Sequence, residues 1–104
     1  MAETNRIEYK RELTSELDIE KEVVAFLNYR EGGFIYIGID DSGNVVGVPN
    51  ADDCMLRLRG RLKNNISPSA MGLFDIASDS HDGKTVVKTT VASGSEKPYF
   101  KTKY

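Results

Sequence analysis

Cysteine and histidine are nearly absent from this chain of 104 residues, where Cys54 and His81 stand alone. A single cysteine excludes an internal disulfide framework, and one residue of each type excludes a Cys/His zinc site within one chain. No apolar run approaches the ~18 residues that a membrane helix needs. The opening Ala2-Glu3-Thr4-Asn5-Arg6 is polar rather than a basic-then-apolar leader, so the expectation is a cytoplasmic domain with no membrane partner. An excess of positive charge is missing too. Lys and Arg total 14 against 16 Asp and Glu, a net charge of −2, which excludes a surface that attracts polyanions everywhere. Any polyanion contact has to be local. The length suits one hydrophobic core and not two, so residues 1–104 read as a single domain.

What is present has clear periodicity. Residues 6–10 alternate, Ile7 and Tyr9 on one side and Glu8 and Lys10 on the other, as in a short half-buried strand. Thr14 and Ser15 offer N-cap hydroxyls, and Glu16, Asp18 and Glu20 suit the positive end of a helix dipole. A helix is therefore expected from about Glu16, with Ile19, Val23, Phe26 and Leu27 inward, Glu20, Lys21 and Glu22 turned away, and Gly32-Gly33 as its cap. Residues 34–39, Phe-Ile-Tyr-Ile-Gly-Ile, read as a central strand covered on both faces. Residues 40–44 form a turn by composition, and residues 45–48 return as a hairpin partner before Pro49. A second helix over residues 51–64 follows from the Met55, Leu58, Leu62 stripe, with Asp52 or Asp53 at its N-terminus. Residues 73–78 and 85–92 then make two strands around the turn His81-Asp82-Gly83-Lys84, and Lys97-Pro98-Tyr99-Phe100 begins another. The fold class is α/β (α+β), a mixed sheet with two helices in the approximate order β-α-β-β-α-β-β. The last residues, Lys103-Tyr104, bring no helix end or polar tail, as expected of a fragment of a longer protein.

Gly32-Gly33 follows a helix and opens a strand, the reverse of the order that aims backbone N–H groups at phosphate, and no G-x-x-x-x-G-K-[ST] occurs. ATP is not expected in this segment. Glu3 and Glu8 precede the first helix, and Asp40 and Asp41 close the central strand. Three convergent carboxylates would serve Mg²⁺ or Mn²⁺, hard cations that orient a phosphodiester and activate water. Along a continuous strand Glu3 and Glu8 would lie about 16 Å apart on opposite faces, so a shared ion requires a bend. The plainer alternative is that both aspartates shape a turn and Glu8 pairs with Lys10. Arg57, Arg59, Arg61 and Lys63 follow one another on the second helix with no acid between them. Their i, i+4 like-charge pairs repel when nothing binds them, which suits a phosphate backbone; a solvated face balanced by first-helix acids is the alternative. Lys10 and Arg11 extend the same basic set. Tyr9, Tyr36, Tyr99 and Phe100 could stack on bases, but their strand spacing favours packing. His81 reads as a loop histidine.

The combination Glu3-x-x-x-x-Glu8-x-Lys10, Val24-Ala25-Phe26-Leu27-Asn28, residues 32–43 (Gly-Gly-Phe-Ile-Tyr-Ile-Gly-Ile-Asp-Asp-Ser-Gly) and Val46-Gly47-Val48 resembles the Schlafen AlbA-like domain. Lys97-Pro98-Tyr99 resembles that family's later strand entry. The resemblance implies an Alba-like fold and the N-terminal module of a bacterial transcriptional regulator, of divergent AAA or helicase-related type, with further domains downstream. It also implies, from animal Schlafen proteins, a metal-dependent endoribonuclease whose catalytic and metal-binding acids would be Glu3, Glu8 and Asp41, with Mg²⁺ or Mn²⁺ as cofactor. The chain departs from the family in the longer step between Asn28 and Gly32-Gly33, in a shortened final strand, and in carrying one lobe where the animal nucleases pair two. The expectation is thus a DNA- or RNA-binding module with Lys10, Arg11, Arg57, Arg59, Arg61 and Lys63 as contacts. The alternatives are the ribonuclease and an architectural or homodimerising domain.

Overall fold

The five residues of β2 (Gly33–Ile37) alternate between two environments, and that alternation organises the molecule. Gly33, Ile35 and Ile37 are buried, while Phe34 and Tyr36 are half-buried on the opposite side. The computed structural model describes residues 6–102. In chain order the elements are β1 (Ile7–Lys10), α1 (Ile19–Asn28), β2, α2 (Ala51–Asn64), β3 (Ile66–Ser67), β4 (Phe74–His81), β5 (Lys84–Val91) and β6 (Phe100–Lys101). Four strands form one sheet in the order β1-β2-β5-β4, with β1 parallel to β2 and the other neighbours antiparallel. β3 and β6 form a separate two-stranded ladder.

Both helices cover the same side of this sheet. Ile19, Val23, Phe26 and Leu27 of α1 and Cys54, Leu58 and Leu62 of α2 share one core with Ile35, Ile37, Ile76, Val87 and Val91. Each fully buried aliphatic chain in that layer stabilises the fold by about 1.5–3 kcal/mol relative to exposure. The register puts Ile35, Thr89 and Ile76 in one cross-strand row facing the helices, and Tyr36, Lys88 and Ala77 in a row facing away. The expected coverage of β2 on both faces is therefore corrected, because among the described residues no helix lies on the second side. Among the described residues only one end of that side is closed, where the loop after β2 folds back and Gly38 and Gly47 approach Val86 and the Lys84 side chain. The return segment makes a single bridge, Ile39 to Val45, rather than the expected regular hairpin strand.

The helix ends also differ from expectation in instructive ways. α1 starts at Ile19 rather than about Glu16, because the Asp18 carboxylate accepts from the Lys21 N–H and residues 14–17 form a turn closed by Leu17 N–H to Thr14. It stops at Asn28, so Gly32-Gly33 is not its cap. Gly32, at φ +68°, instead closes a turn to the Tyr29 carbonyl, and a Cβ there would meet the Val91 carbonyl at 2.1 Å. At Gly33 a Cβ would strike the Phe26 ring at 2.3 Å, so this position is a close-packing point between α1 and β2. α2 occupies the expected residues, but Asn50 caps it by accepting from the Asp53 N–H, not Asp52 or Asp53. The β4–β5 turn rests on Asp82 and Gly83, both at positive φ (52° and 75°), the geometry that matches the twist of a two-residue hairpin.

Candidate nucleic-acid interface

The sequence-predicted carboxylates meet different fates. Glu3 lies outside the described residues. Glu8 sits on the helix side of the edge strand β1, beside Ile35, and Lys10 reaches it at 3.8 Å while holding Glu22 of α1 at 3.2 Å. Asp40 organises its turn. Its oxygens accept from the N–H groups of Ser42 and Asn44 and from the Asn44 side chain. The Asn44 backbone N–H, assisted by the other donors and by the charge of Arg11, holds its carboxyl below the usual range. Asp41 is exposed and makes no hydrogen bond or ion pair among the described residues. The same holds for metal clusters: among the described residues no three His, Cys, Asp or Glu groups come together to hold an ion.

The basic run on α2 divides into two pairs with different tasks. Arg61 turns inward, where its guanidinium grips Glu20 at 3.0 Å through Nε and 2.8 Å through Nη2, and donates further to the Thr14 and Leu17 carbonyls. Glu20, expected to face solvent, is instead 3% exposed and also accepts from Asn65 Nδ2 at 2.8 Å. Burial pushes the Glu20 carboxyl up, but the donors from Arg61 and Asn65 together outweigh it and hold it below the usual range. Arg57 pairs with Asp53 at 2.9 Å and donates to the Leu13 carbonyl. Two residues on, Arg59 and Lys63 project from another side of the helix. Both are exposed, and neither side chain makes an ion pair or hydrogen bond among the described residues. Arg11 is exposed beside the 40–44 turn.

The second side of the sheet carries a surface that periodicity could not locate. Ile7, Tyr9, Phe34 and Tyr36 share it, as do Lys88 and Thr90 of β5. Tyr9 is 37% exposed, its ring centroid 6.0 Å from that of Tyr36. Lys88 Nζ lies 5.2 Å from the Phe34 ring and 5.9 Å from the Tyr36 ring, and the Arg6 guanidinium lies 5.6 Å from Phe34. His81, expected in a loop, ends β4, contacts Asp79 at 3.0 Å and meets the Tyr36 ring edge-on at 5.7 Å. The His81 ring contact, with the Ser80 N–H, in turn holds the Asp79 carboxyl below its usual range. By contrast Tyr99, a stacking candidate in sequence, is a core residue at 3% exposure. Its backbone is clasped by Asn28, which donates to the Tyr99 carbonyl and accepts from its N–H.

Fold and surface together define a two-layer α+β domain, with one sheet face covered by helices and the other open. A family model described as Schlafen, AlbA_2 matches residues 3–104, and the chain belongs to that family. Among solved structures, it is similar to the N-terminal domain of a protein named as related to the ATP-dependent DNA helicase RecG, from Nitrosomonas europaea. That match has a TM-score of 0.79 and 24% identity over 99% of this chain and 74% of the other. The DIP2311 protein of Corynebacterium diphtheriae shares the fold at a TM-score of 0.63 and 19% identity, over 93% of this chain but 19% of that protein. No functionally curated protein matches the chain. Among the described residues no helix is long and apolar enough to cross a membrane.

Proposed function

We propose that this chain is a nucleic-acid-contacting module of a longer bacterial regulator of the helicase-related type. Family membership and a neighbour from a helicase-related protein support the class. The observation that carries the reading is the placement of Arg59 and Lys63. They form an i, i+4 like-charge pair on an exposed helix face, with no carboxylate partner among the described residues. Such a pair costs a few tenths of a kcal/mol when unliganded and gains counterion-release energy against phosphates. Arg57 and Arg61 are poor test sites, since their charges hold α2 to the segment before α1. The test is an oligonucleotide-binding salt titration of the Arg59→Gln/Lys63→Gln double variant. Loss of affinity with a salt slope shallower by roughly 1.5–2 is expected. An unchanged slope removes α2 from the interface.

A second reading, a Mg²⁺- or Mn²⁺-dependent ribonuclease, draws on the solvent access of Glu8 and Asp41, whose carboxylates are the hard oxygen donors such ions take. A site there would also need Glu3 and would have to draw Glu8 away from Lys10. Bound metal would activate water for attack on the phosphodiester, with Glu8 and Asp41 as ligands. Mn²⁺-dependent RNA cleavage abolished by Glu8→Gln with the fold intact is the expected signature. Cleavage that survives the change would make these acids structural.

A further inference from the structure

We infer that the open face of the sheet is a stacking platform for an unpaired stretch of nucleic acid, with bases lying on Tyr9 and Tyr36 and phosphates drawn to Lys88 and Arg6. The inference rests on the nucleic-acid reading and adds to it a second surface, on the side of the sheet away from α2, and a strand state. Three observations carry it. Aromatic rings occupy adjacent positions on neighbouring strands, Tyr9 on β1 and Tyr36 and Phe34 on β2, and the Tyr9 and Tyr36 centroids lie 6.0 Å apart. A cation stands beside them: Lys88, directly opposite Tyr36 on β5, places Nζ 5.2 Å from the Phe34 ring and 5.9 Å from the Tyr36 ring. Among the described residues no element covers the patch, since both helices lie on the other side and the loop after β2 closes only the end at Val86.

The chemistry of the patch selects its occupant. An apolar helix or a second sheet laid here would bury the Lys88 ammonium without a partner, a large desolvation cost, and protein interface centres are depleted of lysine for that reason. A duplex presents phosphates but hides its base faces. A single strand offers both π-faces and phosphates, and base–aromatic stacking tolerates any sequence because every base has a π-face. Acids bound the track along the β4 edge and at the start of β1. Asp75 and Asp79 of β4 share this face, opposite Thr90 and Val86, and Glu31 lies 3.8 Å from Arg6 Nε. The path that avoids the β4 acids follows β1, β2 and the adjoining row of β5, with Glu31 beside Arg6 at its start. Tyr9 and Tyr36 also stabilise the sheet as a cross-strand pair, but that role needs no cation above the rings and makes no distinction among ligands.

The test compares binding of wild-type protein to a single strand of about 12 nucleotides, made as DNA and as RNA, with an abasic strand of equal length and charge and with a duplex. Platform binding predicts that one or both base-containing strands bind about tenfold or more tighter than the abasic strand and the duplex. It also predicts that Tyr9→Ala and Tyr36→Leu each abolish most of that preference while far-ultraviolet circular dichroism stays unchanged. Equal affinity for base-containing and abasic strands, tighter duplex binding, or a preference that survives both substitutions in folded protein would overturn the platform and leave nucleic-acid contact standing. Absence of binding to every strand at low salt would overturn both readings. The abasic comparison needs no variant, so misfolding of a substituted chain cannot rescue the proposal.

Discussion

Replacing Arg61 by alanine removes the donors that compensate a carboxylate with almost no access to water. The Glu20 side chain is 4% exposed and that of Arg61 22%, so the pair is buried at one end and wet at the other. Deleting one partner of a buried ion pair costs about 3–5 kcal/mol, and the partial exposure of Arg61 argues for the lower end, about 3 kcal/mol. For a domain of this size that lowers Tm by roughly 12 °C or more. The pH dependence gives an independent check. In the native chain the Glu20 carboxyl is held below its unfolded value, so its contribution is fully present above the unfolded carboxylate pKa and fades as pH falls through the folded one. In Arg61→Ala burial is left with only Asn65 and nearby backbone opposing it, so the carboxyl moves up and the variant loses stability as pH rises towards neutrality. Urea unfolding from about pH 3 to 7 should therefore show a wild-type-to-variant gap that is widest near neutrality and narrows in acid. A loss under about 1 kcal/mol at neutral pH, or a gap that does not narrow, would refute the assignment.

Two further changes probe the same framework. Thr89 is fully buried and its Oγ1 finds no hydrogen-bond partner among the described residues, so Thr89→Val should stabilise the domain by about 1 kcal/mol in denaturant titration; destabilisation would mean that the hydroxyl is satisfied. Asn28→Ala removes both bonds to the Tyr99 backbone and should cost about 1–2 kcal/mol, with hydrogen exchange at the Tyr99 amide accelerating more than exchange in β5; equal protection there would show that the ring alone anchors the segment.

Much of the fold was legible because it is written in local periodicity. The second helix occupies residues 51–64 as its apolar stripe implies, and β2 and the β4–β5 hairpin follow from β-branched runs around a turn. Helical periodicity turns Glu20 outward because its partner is 41 residues away in sequence, beyond the reach of any local pattern. The β3–β6 ladder has two residues per strand and leaves no periodic trace. Residues 34–37 carry apolar side chains on both faces, so composition implied two covered sides where the structure covers one. The candidate surface was hidden for the same reason. Tyrosines at strand spacing look alike whether they pack or face water, and only the location of both helices on one side separates Tyr9 and Tyr36 from Tyr99. The basic run was legible as charge, but its division between Arg61, spent on Glu20, and the outward Arg59 and Lys63 required the tertiary fold.

The most direct test of nucleic-acid contact is a nuclear magnetic resonance titration of the isotopically labelled chain with a short single-stranded oligonucleotide at low salt. Saturable shifts concentrated at Tyr9, Phe34, Tyr36 and Lys88, with a second, separately titrating set at Arg59 and Lys63 on the opposite side and none in the core around Leu27 and Leu58, are the predicted result. Spectra that remain unchanged at saturating oligonucleotide, whether DNA or RNA, would contradict it.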